Sequence, residues 1–180
     1  YNALVETLPS LVEHHCSLGH RGGFLERVKE GTMMGHIIEH VALELQEMTG
    51  MPVGFGCTRE TAEAGIYQVV VEYGNERAGR YACRAAVRLC QNLVDRGVYP
   101  QDELQQDLED LSDLKAEASL GPSTESLVRE ALARDIPWTE MSARSMIELG
   151  DGTHQKRIQA PLRPENPRGG ARCKTPPAAI

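Results

Sequence analysis

Two histidines and a glutamate in one helical stretch, His36-Ile37-Ile38-Glu39-His40, are the residues of this sequence best spaced for chemistry. At 3.6 residues per turn, His36 and His40 lie about 40° apart on one face, and Glu39 stands about 60° to the other side of His36. Two imidazoles one turn apart can reach a single metal ion. A neighbouring carboxylate that is not a ligand can take a proton from the attacking water, the H-x-x-E-H order of the inverted zinc peptidases. The competing reading is a pair of helical histidines on a half-buried face. Ile37, Ile38, Val41, Ala42 and Leu45 favour the site, because they bury the helix and place ionisable groups where burial has a cost.

A catalytic zinc site needs a third protein ligand and an open position for water. Inverted peptidases supply a glutamate from a later helix. Here Glu76, 36 residues after His40, opens a long helix that follows a strand, and is the expected ligand. Glu72, inside the strand, is the alternative. Zinc is the cofactor these residues imply, with His36, His40 and Glu76 as ligands and Glu39 as the catalytic base. The neighbours His14-His15-Cys16 and His20 offer two readings, a metal cluster and a solvated helix end, and the second is favoured because adjacent helical residues point 100° apart. Gly54-Phe55-Gly56 lacks the length and the following Lys of a phosphate loop. Arg77, Arg80, Arg84 and Arg88 form a ridge that reads as a solvated, salt-bridged face.

The elements that must position these groups follow from periodicity. Residues 2–18 read as a helix that Pro9 either kinks or starts, and residues 24–30 as a short helix. Thr32 is the expected N-cap of a helix over 33–49 that Gly50 ends. Residues 53–58 and 66–73 read as paired strands, the second rich in β-branched residues. Asn75 is expected to cap a helix running to Arg96, with Ala78, Ala82, Ala85, Ala86, Leu89 and Leu93 as its apolar stripe. Leu104, Leu108, Leu111 and Leu114 mark a helix packed by one narrow edge. A further helix over 123–133 and short strands over 138–143, 146–149 and 154–160 follow. The fold class is α+β, a helix-rich single domain with a small β-sheet.

Composition sets the outer limits. The 180 residues are 41% hydrophobic and 25% charged, enough for one core and unlike a disordered chain. No apolar run reaches the roughly 18 residues of a membrane span. The sequence opens at Tyr1 without a signal segment and reads as a fragment of a cytoplasmic protein. Five cysteines, at 16, 57, 83, 90 and 173, show no C-x-x-C pair, so disulfide and cysteine-based zinc frameworks are poor readings. Residues 1–160 carry 25 acidic and 15 basic side chains, whereas 161–180 carry one and four. An acidic body disfavours nucleic acid and suits a cationic partner. Residues 161–180 hold five of the ten prolines and read as a disordered or aberrant tail.

Several stretches together resemble the cyanophycin synthetase family: LPSLVEH at 8–14, HRGGFLERVKEGT at 20–32, GHIIEHVALELQ at 35–46 and GMPVGFG at 50–56. The likeness continues through AGRYA at 78–82, LGPSTE at 120–125 and HQKRIQA at 154–160. It implies that residues 1–160 are the N-terminal domain of an ATP-dependent ligase that builds poly-aspartate bearing arginine on each side chain. It further implies that residues 150–160 lead into an ATP-grasp module that is missing here, so that ATP and magnesium belong to other modules. Members with H-x-x-E-H are expected to cut the polymer internally and so supply primers. Partners implied are the cyanophycin polymer, the remaining synthetase modules and further copies in a homo-oligomer, with no nucleic acid and no membrane. The alternative is a non-catalytic domain that docks polymer and supports assembly.

Overall fold

The computed structural model describes residues 1–142 and 146–159. The expected tail at 161–180, and the strand ends at 143 and 160, lie outside the described residues. Among the described residues the chain is helix-rich α+β, with two small antiparallel sheets rather than one. None of the described helices is long and apolar enough to cross a membrane.

The first departure from expectation is at the start. Instead of one helix over 2–18, α1 spans Asn2–Thr7 and is followed by 3-10 turns at Pro9–Glu13 and Cys16–Leu18. Pro9 has no N–H to continue the α1 ladder, and the preceding Leu8 leaves the helical region at φ −130°, ψ 75°. Leu4, Leu8 and Leu11 still reach the core, so apolar spacing survives the change of geometry. Next come α2, Gly23–Glu30, and α3, Met34–Met48. Thr32 does not cap α3. The N-cap is Met33, without a side-chain bond, because the Thr32 hydroxyl is committed to the His36 ring.

The paired strands form as expected, though β1 starts three residues late. β1, Gly56–Glu60, and β2, Tyr67–Val71, run antiparallel with Gly56 opposite Val71 and Thr58 opposite Val69. Gln46 on α3 ties helix to hairpin: its amide donates to the Glu72 carbonyl at 3.0 Å, and its oxygen accepts from Gly74 N–H at 3.3 Å. Being fully buried, this side chain would be costly to leave unpaired. α4, Glu76–Arg96, starts at Asn75, whose side chain accepts from the Ala78 N–H, and stops at Gly97. Its buried residues Ala78, Ala82, Ala85 and Ala86 are small, which lets α3 pack close. α5, Gln101–Ala118, adds Leu104 and Leu111, its expected narrow edge. Between α4 and α5, buried Asp107 accepts from Tyr81 and Tyr99 and pairs with Arg88.

The core of this unit, Tyr1–Ala118, centres on α3, with Phe24, Val41, Leu45 and Leu89 fully buried. Each such side chain contributes about 1.5–3 kcal/mol through burial. A second compact unit begins at Ser119. It comprises α6, Pro122–Leu132, and a meander of β3, Trp138–Ser142, β4, Met146–Leu149, and β5, Lys156–Gln159. Ile147 on its central strand is fully buried.

Candidate metal centre

α3 presents His36 and His40 one turn apart, with ring centroids 4.8 Å from each other and planes at 81°. Phe24 of α2 positions both rings, stacking on His40 at 4.0 Å and meeting His36 edge-on at 5.7 Å. The third donor that converges on them is Cys16. Its Sγ lies 3.2 Å from His36 Nε2, and one ligating atom from each of Cys16, His36 and His40 falls within 4.8 Å of the others.

Cys16 reaches this point because the helix breaks at Pro9. Its backbone is left-handed, φ +54°, a conformation that costs a non-glycine residue free energy and is retained where surrounding structure enforces it. Gly23 is part of that enforcement. A Cβ there would sit 2.2 Å from the His15 carbonyl oxygen, so only glycine lets the turn rest on the start of α2.

Both histidines are prepared to offer lone pairs. Burial, with His14 and His36 behind it, holds His40 down to about 3, and burial also lowers His36, aided by Arg27. His36 Nδ1 is 2.9 Å from the Thr32 hydroxyl, which leaves its Nε2 facing Cys16. His40 Nδ1 is 2.8 Å from His14 Nδ1, and His14 Nε2 is 2.7 Å from the buried Glu44 carboxylate.

Glu39 is only 5% exposed, and burial raises its pKa above the ordinary carboxylate value. Thr58 of β1 donates to its Oε2 at 2.6 Å. Gly56 permits the approach, because a Cβ at that position would lie 2.5 Å from Glu39 Cγ and Oε1. Glu39, Cys16, His36 and His40 all open into one cavity of about 720 Å³ whose far wall is the chain from Gly54 to Thr58. One cysteine sulfur and two imidazoles with an open side match a catalytic zinc site in donor type and number.

The two carboxylates considered as third ligand lie elsewhere. Glu76, in the first turn of α4, is 72% exposed and 3.5 Å from Arg80, and it does not line the cavity. It is expected at the site because it opens a helix that follows a strand, but the start of α4 sits at the hairpin end, where Gln46 binds the Glu72 carbonyl and the Gly74 N–H. Glu72 instead accepts from the Gly54 and Phe55 N–H groups, both at 2.8 Å, which lowers its pKa and clamps the loop before β1. Neither shares a cluster of ligating atoms with His36 and His40 among the described residues. Those clusters are Cys16, His36 and His40, and beside them His14, Glu44 and Glu47.

Residues 1–95 match the family described as cyanophycin synthase-like N-terminal domain. The chain belongs to that family. It is 73% identical over 162 residues to cyanophycin synthetase of Crocosphaera subtropica, covering 90% of this chain and 19% of that protein. Against the cyanophycin synthetases of Trichormus variabilis and Synechocystis it is 67% identical over 162 residues, covering 18% and 19% of them. The chain thus spans about a fifth of the length of these relatives. Within this synthase-like domain, reading the sequence set Cys16 and His14 aside as a solvated helix end and gave Thr58 and Gly56 no part in the site. For the first two a signal existed: His14-His15-Cys16 follows Pro9, and a proline that stops the helix removes the 100° argument against convergence.

Proposed function

We propose that this chain is the N-terminal part of a cyanophycin synthetase and carries a zinc-dependent hydrolytic site that cuts cyanophycin internally, providing primers for elongation. The observation that carries this reading is the convergence of Cys16, His36 and His40 on one point beside the buried Glu39 carboxylate. In this reading Cys16, His36 and His40 hold the ion. Zinc supplies Lewis acidity there, lowering the pKa of a water to near 7 and polarising a carbonyl.

Glu39 then acts as general base. Burial raises its pKa above the ordinary carboxylate value, which makes it a stronger base. Thr58 fixes Oε2, so the carboxylate keeps one orientation through the reaction. Glu39 takes a proton from the attacking water and delivers it to the leaving amine of the cut amide. The net acidic character of residues 1–160 suits a polymer bearing many arginines, and Glu47, 45% exposed at the cavity edge, offers a carboxylate to a guanidinium. Amide ligation, with its ATP and magnesium, falls in this reading to the rest of the synthetase, a cytoplasmic homo-oligomer.

The test pairs the original chain with Glu39→Gln, a change that keeps shape and removes the base. Both proteins should hold about one zinc and bind polymer, and Glu39→Gln should cut it at least about 100-fold more slowly. Equal cleavage by the two rejects Glu39 as base. Polymer bound by both and cut by neither would replace the hydrolase reading with a docking domain.

A further inference from the structure

Among the described residues β1 pairs with β2 alone, and Gly56 and Thr58 of β1 line the cavity that holds His36, Glu39 and His40. We infer that the free edge of β1 is a docking strip for an extended peptide backbone, and that the poly-aspartate chain of the polymer lies on it as an added strand, bonded to the N–H and C=O groups of Gly56 and Thr58. The occupant named here rests on the polymer reading above.

The register decides which groups are free. In an antiparallel ladder alternate residues exchange both backbone bonds with the partner strand, and the residues between them turn N–H and C=O to the opposite side. Glu72 N–H donates to the Phe55 carbonyl at 2.8 Å, and Thr61 N–H to the Ile66 carbonyl at 3.1 Å, so Phe55 and Thr61 are bonded positions. Steps of two residues place Cys57, opposite Val70, and Arg59, opposite Gln68, in the same class. Gly56 and Thr58 therefore turn their backbone groups away from β2. Both residues are half-buried, where an N–H or C=O gains most from a partner, and no second strand lies against them among the described residues. An unpaired edge of this kind accepts an extended chain through main-chain bonds. It is set into a cavity of about 720 Å³ rather than on a flat surface, which suits one flexible strand and not the edge of a second folded sheet.

The edge also brings an occupant to the candidate centre. An added strand runs about 4.8 Å from β1. Thr58 Oγ1 donates to Glu39 Oε2 at 2.6 Å, so backbone held at Thr58 passes beside that carboxylate. Side chains of the added strand alternate in direction. Those opposite Gly56 and Thr58 face α3, as a Cβ on Gly56 would, and there Glu47 offers a carboxylate at the cavity edge. Those between them face outward with Cys57 and Val70, where the exposed Phe55 ring can stack on a guanidinium. A polymer with an arginine on every residue presents the same strand in either phase. Main-chain pairing can then hold it at any internal position, as cutting within the chain requires.

The test uses the Glu39→Gln chain, so that bound polymer stays uncut, and short aspartate oligomers bearing arginine on each side chain. One oligomer is plain, one is N-methylated at every second backbone amide and one at every amide. Methyls on alternate residues leave one side of a strand able to pair, whereas full methylation blocks both. Calorimetry should show the plain and alternate oligomers binding alike and the fully methylated one at least about 10-fold more weakly, the loss expected for two main-chain bonds. Hydrogen exchange should show the Gly56 and Thr58 amides unprotected in the free chain and slowed at least about 10-fold by the plain oligomer, with Cys57 and Arg59 protected in both states. Equal binding of the fully methylated oligomer, or Gly56 and Thr58 still unprotected in the complex, overturns the docking strip. Protection already present in the free chain and lost on dilution gives the edge to a second copy and overturns it too. Binding of none of the oligomers removes both the strip and the polymer reading. Protection in the complex without cleavage by the original chain supports the strip while overturning the hydrolase reading, and cleavage without protection does the reverse.

Discussion

Replacing Gly56 by alanine tests the role proposed for Glu39 without touching that residue. Gly56 lies in β1 opposite Val71, so its backbone is fixed by the hairpin and cannot easily retreat. The added Cβ would sit 2.5 Å from Glu39 Cγ and Oε1 and 2.7 Å from Cδ. Ordinary carbon contacts lie near 3.5 to 4.0 Å, so the carboxylate must move by about 1 Å. Glu39 is the flexible partner and yields first, which strains or breaks its bond from Thr58. Because a side-chain end moves rather than backbone, the stability cost should be near the lower end of overpacking, about 1 kcal/mol, or about 2–4 °C in Tm. Displacement of a catalytic group by 1 Å costs about 100-fold in rate. The assay is polymer cleavage with zinc content and thermal unfolding measured on the same samples. Gly54→Ala is the control, since a Cβ there meets nothing within 4 Å and Gly54 keeps its N–H for Glu72. Gly56→Ala should retain zinc, unfold a few degrees lower and lose cleavage, while Gly54→Ala should do none of these. Full cleavage by a folded Gly56→Ala protein would refute the placement of Glu39 against the substrate.

Cys16→Ser should weaken zinc binding and abolish the thiolate charge-transfer band of the cobalt-substituted protein, whereas Glu76→Gln and Glu72→Gln should keep both. A band that persists in Cys16→Ser removes Cys16 from the ligand set. Asn75→Ala deletes the bond from the Ala78 N–H at 2.9 Å and should lower stability by about 1 kcal/mol with cleavage and zinc content unchanged, measured by denaturant unfolding.

Much of the fold was legible because its signals are local. Asn75 and Gly97 bracket α4 within a residue of expectation, and α3 falls inside its expected bounds, because caps and the 3.6-residue period act over one turn. His36, Glu39 and His40 were legible for the same reason: one helix holds all three. The approach of Cys16 to them was not, because no local rule relates Cys16 to His36 twenty residues on. That contact exists only after Pro9 breaks the helix and α2 turns back against α3. Glu76 failed as an expectation because separation along a chain fixes no distance in space once a hairpin intervenes.

The hydroxyl residues show why such misreadings gather at the site. Thr32 sits where a helix N-cap belongs, and by propensity should bond an α3 backbone N–H. It bonds His36 Nδ1 instead, and α3 begins without a side-chain cap. Cys16 likewise takes a left-handed backbone that its side chain disfavours, over a Gly23 whose missing Cβ makes room for His15. Each is a local preference overridden in one small region, and each override aims a donor or fixes a ring at the same cavity. A sequence optimised only for folding would have no reason to concentrate them there, so their coincidence supports a functional centre independently of the H-x-x-E-H pattern.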